Sequence, residues 1–159
     1  ETAAGTKGTP VTATQAAPGQ TAAIDERPLR ILLVDDHDDN RTLILNYLKK
    51  TPYQITVAEN GQVAVDKFLA GTFDLVLMDM QMPVMDGYTA TRTIRTYESE
   101  KKLEPTPVIA LTAYALKEET KKSYDAGCDF HVTKPIKKAT LLQTISQFAK
   151  PSQSQKAAA

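Results

Sequence analysis

The sequence has one cysteine, Cys128, and no tryptophan. A single thiol excludes an internal disulfide, and it excludes a Cys-based zinc site, which needs several thiolates. Glycines number only seven, and none stands in a G-x-x-x-x-G-K segment, so no phosphate-cradling nucleotide loop exists and ATP binding is not expected. Neither sign of charge is in surplus, with 19 Lys and Arg against 19 Asp and Glu. Without a basic excess, broad nucleic-acid binding and polybasic membrane attachment are excluded. No apolar run approaches the ~20 residues of a membrane span, and no charged-then-apolar leader opens the chain. These absences predict a cytoplasmic protein without direct membrane insertion. The start at Glu1 suggests a piece of something longer, whose parent is open to membrane anchorage.

What is present is one domain with flanks. Residues 1–28 are mostly Thr, Ala, Gly, Gln and Pro, with Val11 and Ile24 as isolated aliphatics. Such a stretch buries too little apolar surface to offset its ordering entropy and is predicted to be a flexible linker. Residues 151–159 read as a tail of the same kind. The domain at 29–150 keeps 16 charges of each sign, so its neutrality is its own.

Five short apolar or β-branched runs recur inside it: Ile31–Val34, Ile55–Ala58, Leu75–Met78, Val108–Leu111 and Phe130–Val132. The first, third and fourth are continuously apolar, as strands buried on both faces should be. The second and fifth suit sheet edges. Their starts lie 24, 20, 33 and 22 residues apart, room for a crossover helix each time. Helical patterning fills the gaps at Asn40–Lys50, Gln62–Leu69, Tyr88–Tyr97, Leu116–Ala126 and Lys138–Ala149. Leu43, Ile44, Tyr47 and Leu48 are expected to face inward, as are Val65, Phe68 and Leu69. The order predicts an α/β fold, a doubly wound five-stranded parallel sheet of (βα)5 units.

In such sheets ligands sit beyond the carboxyl ends of the strands. Strand one runs into Asp35-Asp36, strand three ends at Asp79, strand four at Thr112, and strand five is followed by Lys134. Three carboxylates, a hydroxyl and an ammonium therefore converge on one edge. Close carboxylates repel unless a cation compensates, and an all-oxygen site suits a hard divalent ion such as Mg²⁺. A carboxylate beside Mg²⁺ can attack a phosphoryl group and form an acyl phosphate.

These segments resemble the receiver domain of two-component signalling. The resemblance is carried in order by Ile31-Leu32-Leu33-Val34-Asp35-Asp36, by Leu75–Asp79 with Met80-Gln81-Met82-Pro83-Val84-Met85-Asp86-Gly87, by Ala110-Leu111-Thr112-Ala113, and by Thr133-Lys134-Pro135. It implies a flavodoxin-like sheet in the order 2-1-3-4-5. It implies Asp79 as phosphoacceptor, Asp36 as a direct Mg²⁺ ligand, Asp35 as support through water, and the Gln81 carbonyl as a further ligand. Lys134 would pair with the phosphoryl group before a cis Pro135, and Thr112 would move to switch the surface of the fourth and fifth helices and fifth strand. Gln81 and Tyr114 hold positions that tune hydrolysis. At the aromatic switch position stands His131, whose charge would make the switch pH-sensitive. The resemblance is strongest to receivers fused behind a histidine kinase. A stand-alone single-domain response regulator is the runner-up. The partner expected is a histidine kinase or His-phosphotransfer domain, with no nucleic acid and a monomer favoured. Such a domain promotes its own phosphorylation and dephosphorylation without being a turnover enzyme.

Each residue alone has a plainer reading. Asp35 and Asp36 suit a helix start, Asp38, Asp39 and Asn40 compete for its cap, and Asp86-Gly87 reads as turn chemistry. Cys128 reads as buried filler, Met78 as core, and Met80, Met82 and Met85 as loop packing. Glu118, Glu119, Lys121 and Lys122 mark either a readout face or a solvated one. Two other function classes compete. A Mg²⁺-dependent aspartyl phosphatase would need a second Asp where Gln81 stands. A docking module without chemistry would not need the five reactive residues.

Overall fold

The three continuously apolar runs are fully buried, as strands covered on both faces must be: Ile31–Val34, Leu75–Met78 and Val108–Leu111 are all 0% exposed. In the computed structural model, which describes residues 28–113 and 116–148, they form the centre of a five-stranded sheet. The elements are β1 (Arg30–Val34), α1 (Asp38–Leu48), β2 (Gln54–Ala58), α2 (Gly61–Ala70), β3 (Leu75–Asp79), α3 (Gly87–Glu100), β4 (Val108–Thr112), α4 (Lys117–Ala126), β5 (Phe130–Thr133) and α5 (Lys138–Phe148). All neighbours are parallel, in the order β2-β1-β3-β4-β5. The two weaker strands take the edges, as expected of partly polar runs.

The sheet separates two cores. Leu32, Val34, Val76, Met78, Val108 and Ala110 face Phe68 of α2, Ile94 of α3 and Ala126 of α4. Ile31, Leu33, Leu75, Leu77, Ile109 and Leu111 face Ile44 of α1 and Leu141 and Ile145 of α5. Alternate strand residues thus feed opposite layers.

Several boundaries differ from the sequence reading. The first helix starts at Asp38, and its N-cap is His37, whose side chain makes no capping hydrogen bond. Asp38 and Asp39 lie in the first turn, where the helix dipole favours acids. Leu43 and Leu69 are 37% and 42% exposed; each neighbours a buried residue, Ile44 or Phe68, and one step around a helix moves a side chain to the rim of the apolar stripe. Met80 is fully buried core, whereas Met82 and Met85 are partly buried. Cys128 is buried. The expected linker up to Arg27, the tail and the last two expected domain residues lie outside the described residues.

One polar staple ties α3 to the strand starts. Arg95 donates to Gly127 O at 2.9 Å, Thr106 O at 2.8 Å, Glu98 Oε1 at 2.7 Å and Asp129 Oδ2 at 2.9 Å. Glu98 is only 3% exposed, and its second oxygen accepts from Thr106 N at 2.7 Å, so the buried carboxylate is paired and hydrogen-bonded.

Candidate functional site

Parallel pairing brings the strand ends to one level. Val34 pairs with Met78, Asp79 with Leu111, and Thr112 with Thr133. Backbone bonds continue past the strands: Asp35 N donates to Ala58 O at 3.1 Å, Met80 N to Leu111 O at 3.1 Å, and Lys134 N to Thr112 O at 2.7 Å. Asp35, Asp79, Thr112 and Lys134 are therefore held by sheet geometry rather than by loose loops.

The carboxylates are deep. Asp35 is fully buried and Asp79 is 3% exposed. Asp35 Oδ1 accepts from His37 N at 2.9 Å and Asn40 Nδ2 at 3.4 Å. Asp79 Oδ1 accepts from Gln81 N at 3.1 Å. Lys134 Nζ stands 3.2 Å from Asp35 Oδ2 and 3.3 Å from Asp79 Oδ2. Those contacts are ion pairs by distance only. Neither Oδ2 atom, nor Asp36 Oδ1, receives a hydrogen bond of sound geometry. Burial is the largest influence on Asp79 and pushes its carboxyl up from 3.8 to about 6. Lys134 and the Gln81 amide pull it down, and Asp35 pushes it further up.

One ammonium thus stands against two carboxylates, and all three acids keep a buried, unbonded oxygen. Asp35, Asp36, His37 and Asp79 each offer a ligand atom, all within 4.8 Å of one another. Oxygen donors of net negative charge fit a hard divalent cation, and Mg²⁺ is such an ion.

Thr112 closes β4 and is 3% exposed. His131 lies on β5 opposite Ala110, half-buried, with Nδ1 3.4 Å from the Tyr124 hydroxyl of α4 and the two rings edge-on. The Lys134–Pro135 peptide is cis. Gln81 is exposed two residues past Asp79; Tyr114 lies outside the described residues.

The β3–α3 loop is built tightly around Asp79. Gly87 N donates to Met80 O at 3.0 Å. A Cβ at Gly87 would stand 2.3 Å from Asp79 O, so only glycine fits there. Asp86 is more than a turn residue: its side chain caps α3 by accepting from Thr89 N at 2.8 Å. Val84 is 80% exposed.

Sequence reasoning missed Tyr88. Its ring is buried at the start of α3, its hydroxyl donates to Glu119 Oε1 at 2.7 Å, and Lys122 Nζ lies 4.4 Å from its ring centroid. Burial and Glu119 push the phenol well above its ordinary range. Glu119 and Lys122 accordingly brace α4 against α3 rather than simply facing solvent. No periodicity marks this contact, since the partners are 31 residues apart.

A five-stranded parallel sheet in this order, with an acidic triad and a lysine at its carboxyl edge, defines a phosphorelay receiver. The chain belongs to the response regulator receiver domain family, which it matches over residues 31–146. It is 38% identical over 122 residues to the sensor protein GacS of Pseudomonas syringae pv. syringae, covering 77% of this chain and 14% of that protein. It is 39% identical over 122 residues to hybrid signal transduction histidine kinase G of Dictyostelium discoideum, covering 76% of this chain and 4% of that protein. The chain therefore spans a small fraction of the curated relatives it matches. Among solved structures, the receiver domain of the Pseudomonas aeruginosa sensor histidine kinase PA1611, with a magnesium ion coordinated in its active-site cleft, is 36% identical. Its TM-score is 0.69, with 77% of this chain and 98% of that one covered. The receiver domain of Saccharomyces cerevisiae Ssk1, crystallised with the histidine phosphotransfer protein Ypd1, is 28% identical. Its TM-score is 0.76, with 79% and 91% covered. No helix among the described residues is long and apolar enough to cross a membrane.

Proposed function

We propose that this domain accepts a phosphoryl group from a phosphohistidine of a kinase or His-phosphotransfer domain onto Asp79. The observation that carries the reading is the convergence of Asp35, Asp36, Asp79 and Lys134 at one sheet edge. Asp79 Oδ1 is oriented by the Gln81 amide, which leaves Oδ2, next to Lys134, to attack. A bond forms from Oδ2 to phosphorus, the phosphorus–nitrogen bond breaks, and the leaving imidazole takes a proton. Asp35, Asp36, Asp79 and the Gln81 carbonyl are the residues that would hold Mg²⁺. Bound there, Mg²⁺ supplies charge neutralisation between carboxylate and phosphoryl oxygens. Lys134 would balance the charge of the transferred group, and Thr112, at the end of β4, would bond a phosphoryl oxygen on Asp79.

The product biases a two-state surface of α4, β5 and α5. The Tyr124–His131 contact joins α4 to β5 on that surface, and His131 takes the switch position. The kinase relatives favour a parent that is a hybrid histidine kinase over a stand-alone regulator. Gln81, where a phosphatase would need its second Asp, argues against phosphate-ester turnover.

Intact mass after incubation with Mg²⁺ and a phosphohistidine-bearing donor domain tests the reading. The parent chain is expected to gain one phosphoryl group and Asp79→Asn none. Equal gain by both would remove Asp79 from the role.

A further inference from the structure

His37 is not among the acidic residues that define the site, yet it faces them. Its Nδ1 lies 3.0 Å from Asp36 Oδ1 and 3.6 Å from Asp35 Oδ1. Asp36 Oδ1 nevertheless accepts no hydrogen bond. Nitrogen and oxygen stand in contact, and the ring N–H direction does not serve the oxygen. Donors in cis positions on an octahedral ion with bonds of ~2.1 Å stand about 3.0 Å apart, and trans donors about 4.2 Å. The His37 separations of 3.0 and 3.6 Å fall between those two values, and the four ligand atoms together lie within 4.8 Å, slightly wider than one bound ion would hold them. The backbone sets this placement. His37 is the N-cap of α1, directly after the acidic pair, and its imidazole makes no capping bond.

We infer that His37 is a nitrogen ligand of this site and extends it from Mg²⁺ to borderline divalent cations of the nickel, cobalt and zinc class. Imidazole is a poor partner for Mg²⁺, which takes oxygen and keeps its waters, whereas the later transition ions bind it well. Asp35, Asp36 and Asp79 serve either ion, so the two classes compete for one place. A cell in which a borderline ion rises would then displace Mg²⁺ at the phosphoacceptor. The inference rests on the reading of the acidic cluster as a divalent-cation site.

The side chain of His37 is 67% exposed, so its replacement leaves the cores intact. Calorimetric titration of the whole chain with MgCl₂ and, separately, NiCl₂ tests the inference in the parent, His37→Ala and His131→Ala. His37→Ala is expected to weaken Ni²⁺ about tenfold or more and to leave Mg²⁺ within about twofold. His131→Ala is expected to change neither. With Co²⁺, a hyperfine-shifted imidazole proton is expected in the parent and absent in His37→Ala. An unchanged Ni²⁺-to-Mg²⁺ affinity ratio in His37→Ala overturns the inference while leaving the receiver site standing. Failure of the parent to bind either ion overturns the site reading itself.

Discussion

Asp79 carries the opposing demands of the site in one side chain. Burial holds its carboxyl near a pKa of about 6, above the 3.8 of an exposed group. As pH rises, the unfolded chain gives up this proton first and the folded chain keeps it longer. Stability is therefore fully present below about pH 4 and is lost as pH climbs through about 6. Asp79→Asn removes that loss. Urea unfolding of the metal-free protein is expected to show the variant more stable by about 1–3 kcal/mol at pH 7, with the gain gone near pH 4. Saturating Mg²⁺ is expected to reverse the order at pH 7, because only the parent keeps the full charge that binds it. A variant no more stable than the parent at either pH would mean that Lys134 already compensates the buried carboxylate.

At the scale of elements, the join between β3 and α3 fixes where Asp79 points. An alanine Cβ at Gly87 would meet Asp79 O at 2.3 Å and Met80 Cα at 2.8 Å, and both are backbone atoms that cannot swing aside. Gly87→Ala is expected to cost about 2 kcal/mol or more and to weaken Mg²⁺, since the displaced backbone carries Asp79, one of the proposed ligands. Asp86→Ala, one residue earlier, removes only the cap. It is expected to cost about 1 kcal/mol and leave Mg²⁺ affinity unchanged. Chemical denaturation with Mg²⁺ titration separates the two. The sequence marked Asp86-Gly87 as a turn, which is right about the chain reversal and silent on the division of labour. Cap and close approach are distinguished only by what stands opposite.

For the whole molecule, sequence and structure agree where one physical rule decides. Strands buried on both faces write continuous apolar runs, so Ile31–Val34, Leu75–Met78 and Val108–Leu111 were legible as the central strands. Parallel strands with helical crossovers place all carboxyl ends on one edge, so Asp35, Asp79, Thr112 and Lys134 were legible as neighbours. Contacts between helices follow no such period. Arg95 reaches Gly127 and Asp129, 32 and 34 residues away, and Tyr88 finds Glu119 across two helices. Their partners are set by packing, and single-chain spacing does not encode it. The linker and tail expected from composition stand as expectations, outside the described residues.

Four separate strands each deliver one member of the site, and this gives it a place in time as well as in space. The proposed cation ligands lie at the ends of β1 and β3, whose pairing, Ile31 with Leu75, joins the strands furthest apart in sequence of any pair in the sheet. Such closures come late when folding begins from local contacts, so the chain would meet its cation only after its slowest pairing. A ligand that recognises nothing before the native state cannot hasten arrival; it delays departure. Stopped-flow measurements in saturating Mg²⁺ are expected to leave the refolding rate unchanged and to slow unfolding. Faster refolding would instead place the acidic edge within the nucleus. The cation then acts as a lock on a finished fold, and its release, not its capture, sets how long each domain persists.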